Sequence, residues 1–319
     1  MDPLSLAGRH AKWVMAIGLI VAAVLPGLAR WLSQGLVPLI MLLMFLGALR
    51  LRPEETAQIL HRPLRSLWQA LALQLALPLG AVLLLTLTGW ISQLWAVAMV
   101  LVLTAPSIVS SPNIAAILGL QGGPTMRLMI WGTALVPLSA VPALLLIFGA
   151  AGIGTILLAA AKLAGIIAVA GGLGLAIRRV ALPAPGARGL LRLDGASALA
   201  LGVFVIALMP ALQEDLVTRP GVILAWLCFA FALNYIPQIV AFALLKQPVG
   251  RSEAGAIALV AGNRNLALIF AALSPEQAAP LLPFLAAYQF PMFLTPLCLG
   301  WLYRAAAADP ASVTPSDRH

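Results

Sequence analysis

Arg264 stands between Asn263 and Asn265 in the stretch "ALVAGNRNLALIFAAL", residues 258–273. A guanidinium is a permanent cation with its donors in a flat fork, shaped for a carboxylate or for a set of carbonyls. A second polar stretch, "TAPSIVSSPNIAAILG" (104–119), carries Ser107, Ser110, Ser111, Pro112 and Asn113. Hydroxyls, amides and one fixed cation bind and orient a ligand. Catalysis asks for more, namely a nucleophile beside a base, paired acids or a metal cluster. His10, His61 and His319 lie at loops or termini, Cys228 and Cys298 lie singly inside apolar runs, and the acids fall outside the middles of those runs. The side chains therefore point to recognition, with no enzyme, no metal and no cofactor expected.

What must position these residues is a bilayer-spanning bundle. The chain has 319 residues, 62% hydrophobic and 9% charged, where soluble domains carry about 25% charged residues. The net charge of +9 is spread between apolar runs without aromatic interleaving, which fits membrane topology and not nucleic acid. The lipid bilayer is the expected partner, and no obligate protein partner is evident. Arg9 and Lys12 precede the first apolar run, but no small-residue cleavage site follows it, so it reads as a retained helix. About 20 apolar residues cross the hydrocarbon. Ten runs qualify: 13–29, 35–51, 66–88, 93–119, 125–149, 153–177, 196–212, 220–245, 252–273 and 280–303. The longest expected loop is 178–195, "RRVALPAPGARGLLRLDG", and the tail from 305 to 319 reads as disordered. "GGLGLA" (171–176) resembles a dinucleotide fingerprint only by composition, since no strand precedes it.

With ten spans, 14 Lys and Arg residues collect on one side, among them Arg50, Arg65, Arg178, Arg192 and Arg251, against Arg30 and Arg219 on the other. That bias places both termini in the cytoplasm of a plasma membrane. "SPNIAAIL" and "NRNLALIF" then align Asn113 with Asn265 at an offset of 152 residues, each in the fourth span of a five-span half. Five is odd, so the halves (1–150 and 151–304 of one membrane domain) enter the bilayer with opposite sense, as in the inverted repeats of secondary transporters. Pro106 and Pro112 predict a break in the fourth span, and Gly262 with Asn263, Arg264 and Asn265 a break in the ninth. Freed backbone groups survive in lipid only where protein or a water-filled cavity satisfies them.

On these motifs the chain resembles the bile acid:sodium symporter superfamily. "VPLIMLLMFLGALRL" (37–51) is similar to that family's second helix, "SPNIAAILG" to the restart of its fourth, "TALVPLSAVPALLLI" to its fifth, and "GNRN" (262–265) to the crossing in its ninth. The resemblance runs the length of the chain, although each motif alone is weakly specific. It implies an all-α fold of ten helices, with a panel of spans 1, 2, 6 and 7 beside a core of 3–5 and 8–10, where spans 4 and 9 cross at their breaks. It also implies a substrate site there. Departures from the family pattern fall on the sodium ligands. Val260 stands where sodium-coupled relatives have an acid, Arg264 where they have glutamine, and Pro112 where they have serine. Gln74 matches a third-helix glutamine, though its spacing to Pro78 fits poorly.

An arginine at mid-membrane costs about 2.5–3.5 kcal/mol on insertion scales. Its expected partners are the carbonyl ends of broken half-helices, which carry partial negative charge. The alternatives are a residue facing substrate and a purely structural one. For Arg127 and Lys162, snorkelling to the headgroups competes with a site role. The resulting expectation is a secondary transporter of a small organic anion, with Arg264, Asn263, Asn265, Asn113, Ser107, Ser110, Ser111, Gly262 and Pro112 at its site and sodium disfavoured as a cofactor. A sodium-coupled symporter with rearranged ligands, and a sensor or scaffold on a carrier fold, stand as alternatives.

Overall fold

The computed structural model describes residues 2–10, 14, 21, 25–51, 63–120, 122–149, 153–183 and 185–307. Every regular element among them is helical. In chain order these are α1 (Pro3–Arg9), α2 (Pro26–Ser33), α3 (Leu36–Arg50), α4 (Pro63–Leu71), α5 (Leu77–Leu87), α6 (Leu94–Thr104), α7 (Ser111–Ile117) and α8 (Gly122–Phe148). There follow α9 (Ile153–Ile166), α10 (Gly172–Val180), α11 (Ala187–Leu208), α12 (Pro210–Thr218), α13 (Pro220–Leu245), α14 (Arg251–Gly262), α15 (Leu266–Ala272), α16 (Pro275–Ala278), α17 (Leu282–Cys298) and α18 (Gly300–Ala307). Short π-helical turns, Ala72–Ala76 and Ile167–Gly171, join α4 to α5 and α9 to α10 without ending the rod.

Six continuous helical stretches are long and apolar enough to cross a bilayer: Leu64–Leu87, Gly122–Phe148, Ile153–Val180, Ala187–Gln213, Pro220–Leu245 and Pro275–Cys298. They mark a multi-pass membrane protein. α2 and α3 qualify as a pair but bend by 77° at their junction. The expected spans 93–119 and 252–273 are each two shorter helices, α6 with α7 and α14 with α15. Most of the expected first span, 13–29, and the end of the tail, 308–319, lie outside the described residues.

One expectation is corrected. The stretch 178–195 is not a long loop, because α10 runs on to Val180 and α11 begins at Ala187. Its cations read as loop residues, yet they sit on helix ends that continue past the apolar segment. Arg178 is buried there, its Nε donating to the Leu51 carbonyl at 3.1 Å and its Nη1 to that of Leu182.

The chain divides into two compact units. The first comprises Met1–Pro63, Leu144–Trp226 and Leu266–Ala287. α11 is its centre and packs on α1, α2 and α3. Glycine makes these approaches possible. A Cβ on Gly195 would lie 1.8 Å from the Leu4 carbonyl oxygen, and one on Gly174 would lie 2.6 Å from the Ala48 Cβ. Ion pairs Arg50–Asp194 and Arg192–Asp2 tie the same helices at their polar ends.

The second unit comprises Leu64–Ala143, Leu227–Asn265 and Tyr288–His319. Its core gathers Leu118 and Leu120 after α7, Phe242 of α13, Ala258 and Leu259 of α14, and Leu302 and Tyr303 of α18. Val260 packs with Ile257 and Leu128 in an adjoining apolar cluster.

A candidate site where two interrupted helices cross

The site is built within the second unit from the two breaks. α6 ends at Thr104 because Pro106 offers no N–H to continue the ladder. α7 restarts at Ser111, with Pro112 in its first turn, where a missing N–H is harmless. α14 ends at Gly262, and Asn263 adopts φ −86° and ψ 83°. That is an inverse γ-turn, closed by the Arg264 N–H donating to the Gly262 carbonyl at 3.0 Å. A Cβ on Gly262 would lie 2.0 Å from the Asn234 carbonyl oxygen, so glycine lets α13 run against the turn.

The two breaks then satisfy each other. The Ile108 N–H donates to the Asn263 carbonyl at 3.0 Å, and the Asn265 N–H donates to the Pro106 carbonyl at 2.6 Å. Ser107 and Arg264 thus face each other in a one-residue antiparallel bridge, a fragment of β-ladder inside a helical membrane protein. Backbone groups released by one break are thus paired by groups released by the other.

Arg264 is fully buried, at 0% exposure. Its Nε donates to the Ala261 carbonyl at 3.0 Å, its Nη1 to that of Ala105 at 3.0 Å, and its Nη2 to that of Leu73 at 3.2 Å. Ala105 caps the C-terminus of α6 and Ala261 lies in the last turn of α14, so two of the three acceptors sit at negative helix ends. The third is released by the π turn. The Leu77 N–H bonds to the Ala72 carbonyl, and Pro78 has no N–H. Neither donor that would reach the Leu73 carbonyl in an α or π ladder is therefore available to it. No acid pairs with Arg264 among the described residues.

The other expected residues divide. Ser107 and Ser111 are buried, with their hydroxyl oxygens 2.6 Å apart, while Ser110 is exposed and Pro112 half-buried. Asn263 is buried, its Nδ2 donating to the Leu259 carbonyl at 3.1 Å. Asn265 is half-buried, and the side chain of Asn113 lies outside the described residues. Gln74 is buried in the π turn, its Oε1 without a hydrogen-bond partner among the described residues, and a Cβ on Gly132 of α8 would come within 2.9 Å of its Nε2. Arg127 is half-buried near the start of α8, and Lys162 is exposed on α9 in the first unit.

Sequence reasoning missed the buried network that braces the ninth-span break. Asn234 Nδ2 donates to the Gly262 carbonyl at 2.8 Å, and the Tyr288 hydroxyl donates to the same oxygen. Gln238 Nε2 donates to Asn234 Oδ1 at 2.6 Å, and the Tyr303 hydroxyl donates to Gln238 Oε1. The Thr295 hydroxyl lies 3.3 Å from Asn263 Oδ1 and 2.9 Å from the Pro291 carbonyl, to which it donates. A signal was present: Asn234 and Gln238 are one turn apart in the otherwise apolar α13, and amides at that depth need partners.

No protein-family model matches the chain, and no curated protein matches it.

Proposed function

We propose that the protein is a secondary carrier for a small organic anion, working by alternating access with its site at the crossing of the two interrupted helices. The reading takes the bundle as ten spans in two inverted halves, related to the bile acid:sodium symporter superfamily, with both termini in the cytoplasm. The observation that carries it is the backbone bridge Ser107↔Arg264. Interrupted helices that meet at a polar crossing inside a membrane protein are a mark of substrate sites in secondary transporters. The buried cation at that crossing, with no acid partner among the described residues, favours an anion, because low dielectric strengthens charge recognition. Each terminal nitrogen of Arg264 uses one N–H on a carbonyl, which leaves one N–H on each for a carboxylate gripped by two parallel hydrogen bonds. Arg264 is covered in this conformation, so substrate reaches it when the unit opens.

Sodium coupling is disfavoured by the same cation. Two unit charges about 4 Å apart repel by about 4 kcal/mol at an effective dielectric of 20, and Val260 lies in an apolar cluster and supplies no counter-charge. The test is uptake of labelled small carboxylates into liposomes holding the purified protein, with and without a sodium gradient. Expected is saturable, sodium-independent flux that Arg264→Gln abolishes. Steep sodium dependence with potassium inactive would favour the symporter with rearranged ligands. Absence of flux for every anion would favour a sensor or scaffold. Wild-type flux in Arg264→Gln would sink the anion reading.

A further inference from the structure

We propose that the crossing is a cation receptor filled in cis: the carbonyl oxygens of Leu73, Ala105 and Ala261 form a site for a guanidinium-class cation, and Arg264 is its tethered occupant. The receptor is a property of the folded crossing and does not depend on what the protein carries. Three main-chain oxygens from three separate segments converge on one planar group at 3.0, 3.0 and 3.2 Å. Each is freed by a feature of its own segment. Ala105 and Ala261 stand at helix C-termini, where carbonyls lack intrahelical donors. Leu73 lies in a π turn whose next proline, Pro78, removes the remaining donor. The chain thus releases three acceptors around one fully buried guanidinium, two of them in buried bonds and the Leu73 carbonyl in a partly buried one. Gln74, beside Leu73, adds a buried Oε1 that has no donor among the described residues. Charge balance comes from carbonyl dipoles, as in the carbonyl rings that replace the hydration shells of ions in channels.

A receptor should outlive its tether. Arg264→Ala removes the occupant and keeps the main-chain oxygens, leaving a void of guanidinium shape. Free guanidinium should refill it and stabilise the folded state by mass action. The experiment is thermal denaturation of detergent-purified wild type and Arg264→Ala in choline chloride, with low-millimolar guanidinium or methylguanidinium added, and with urea at matched concentration as control. Expected is a Tm several degrees below wild type in Arg264→Ala, raised by guanidinium and methylguanidinium but not by urea, with no rise in wild type, whose site is full. A variant that gains nothing from either cation overturns the proposal, since water then suffices to satisfy the carbonyls. A similar rise in wild type overturns it as well. If Arg264→Ala cannot be recovered folded, Pro78→Ala decides, because a new N–H at 78 competes with Arg264 for the Leu73 carbonyl. A lowered Tm supports the receptor, and an unchanged or raised one, as expected for an ordinary helix proline, overturns it.

Discussion

The Gly262 carbonyl receives three donors, the Arg264 N–H, Asn234 Nδ2 and the Tyr288 hydroxyl. Their loss should not be equal. Tyr288→Phe removes one donor from an oxygen that keeps two, so the expected cost is that of one hydrogen bond, about 0.5–1.5 kcal/mol. Asn234→Ala removes a donor and also takes the Oδ1 acceptor from Gln238 Nε2, which keeps only the Asn234 main-chain carbonyl at 3.1 Å, so a second hydrogen bond is lost and the cost is about twice as large. Thermal denaturation of the two variants should rank Asn234→Ala clearly below Tyr288→Phe. Equal losses would mean that the network is slack. Much of this was open to a reader of the sequence. An arginine amid apolar residues announces a structural demand, and carbonyls were its natural partners. Which carbonyls, and that tyrosines from α17 and α18 complete the bracing, could not be read, because a main-chain acceptor has no residue type of its own.

Among the elements, both breaks were legible, because proline and glycine act through missing atoms. The π turn at Ala72–Ala76 was not. Its cause is a register shift of one residue that leaves the apolar pattern intact, and Pro78 on its own reads as an ordinary kink. The extent of α11 was misread for a different reason. Arg192 and Asp194 look like loop residues, but a helix can carry them past the apolar segment when their charges pair. Helix spacing in the first unit depends on absent side chains. Gly195→Ala would bring a methyl group 1.8 Å from the Leu4 oxygen, and Gly174→Ala would bring one 2.6 Å from the Ala48 Cβ and 2.7 Å from the Phe45 oxygen. Backbone must move in both cases, and overpacking of this kind costs about 1–3 kcal/mol. Gly80→Ala, with open space around the added carbon, is the control that should leave Tm unchanged or raised. Denaturation midpoints that do not separate the first two variants from the third would refute this account of the packing.

At the scale of the whole molecule the orientation reading makes the firmest demand. Ser92, Thr218 and Gly186 are all exposed, and Cys228 and Cys298 are exposed on apolar helices. In a background lacking both cysteines, single cysteines at 92 or 218 should react with a membrane-impermeant maleimide in intact cells, and one at 186 should react only after lysis. The opposite pattern would invert the topology and with it the ten-span reading. Exposed Trp31, Trp68, Trp90 and Trp301 fit the belts that aromatic rings form at the two lipid–water boundaries. The main-chain acceptors around Arg264 also shape what this chain is free to become. Oxygens at 73, 105 and 261 belong to whichever residue occupies those positions, so a comprehensive mutational scan should find 264 almost invariant, while its three partners accept any residue of compatible size. Drift at those partners would leave no covarying trace, and one of the costliest charges in the protein would look, position by position, as though nothing held it.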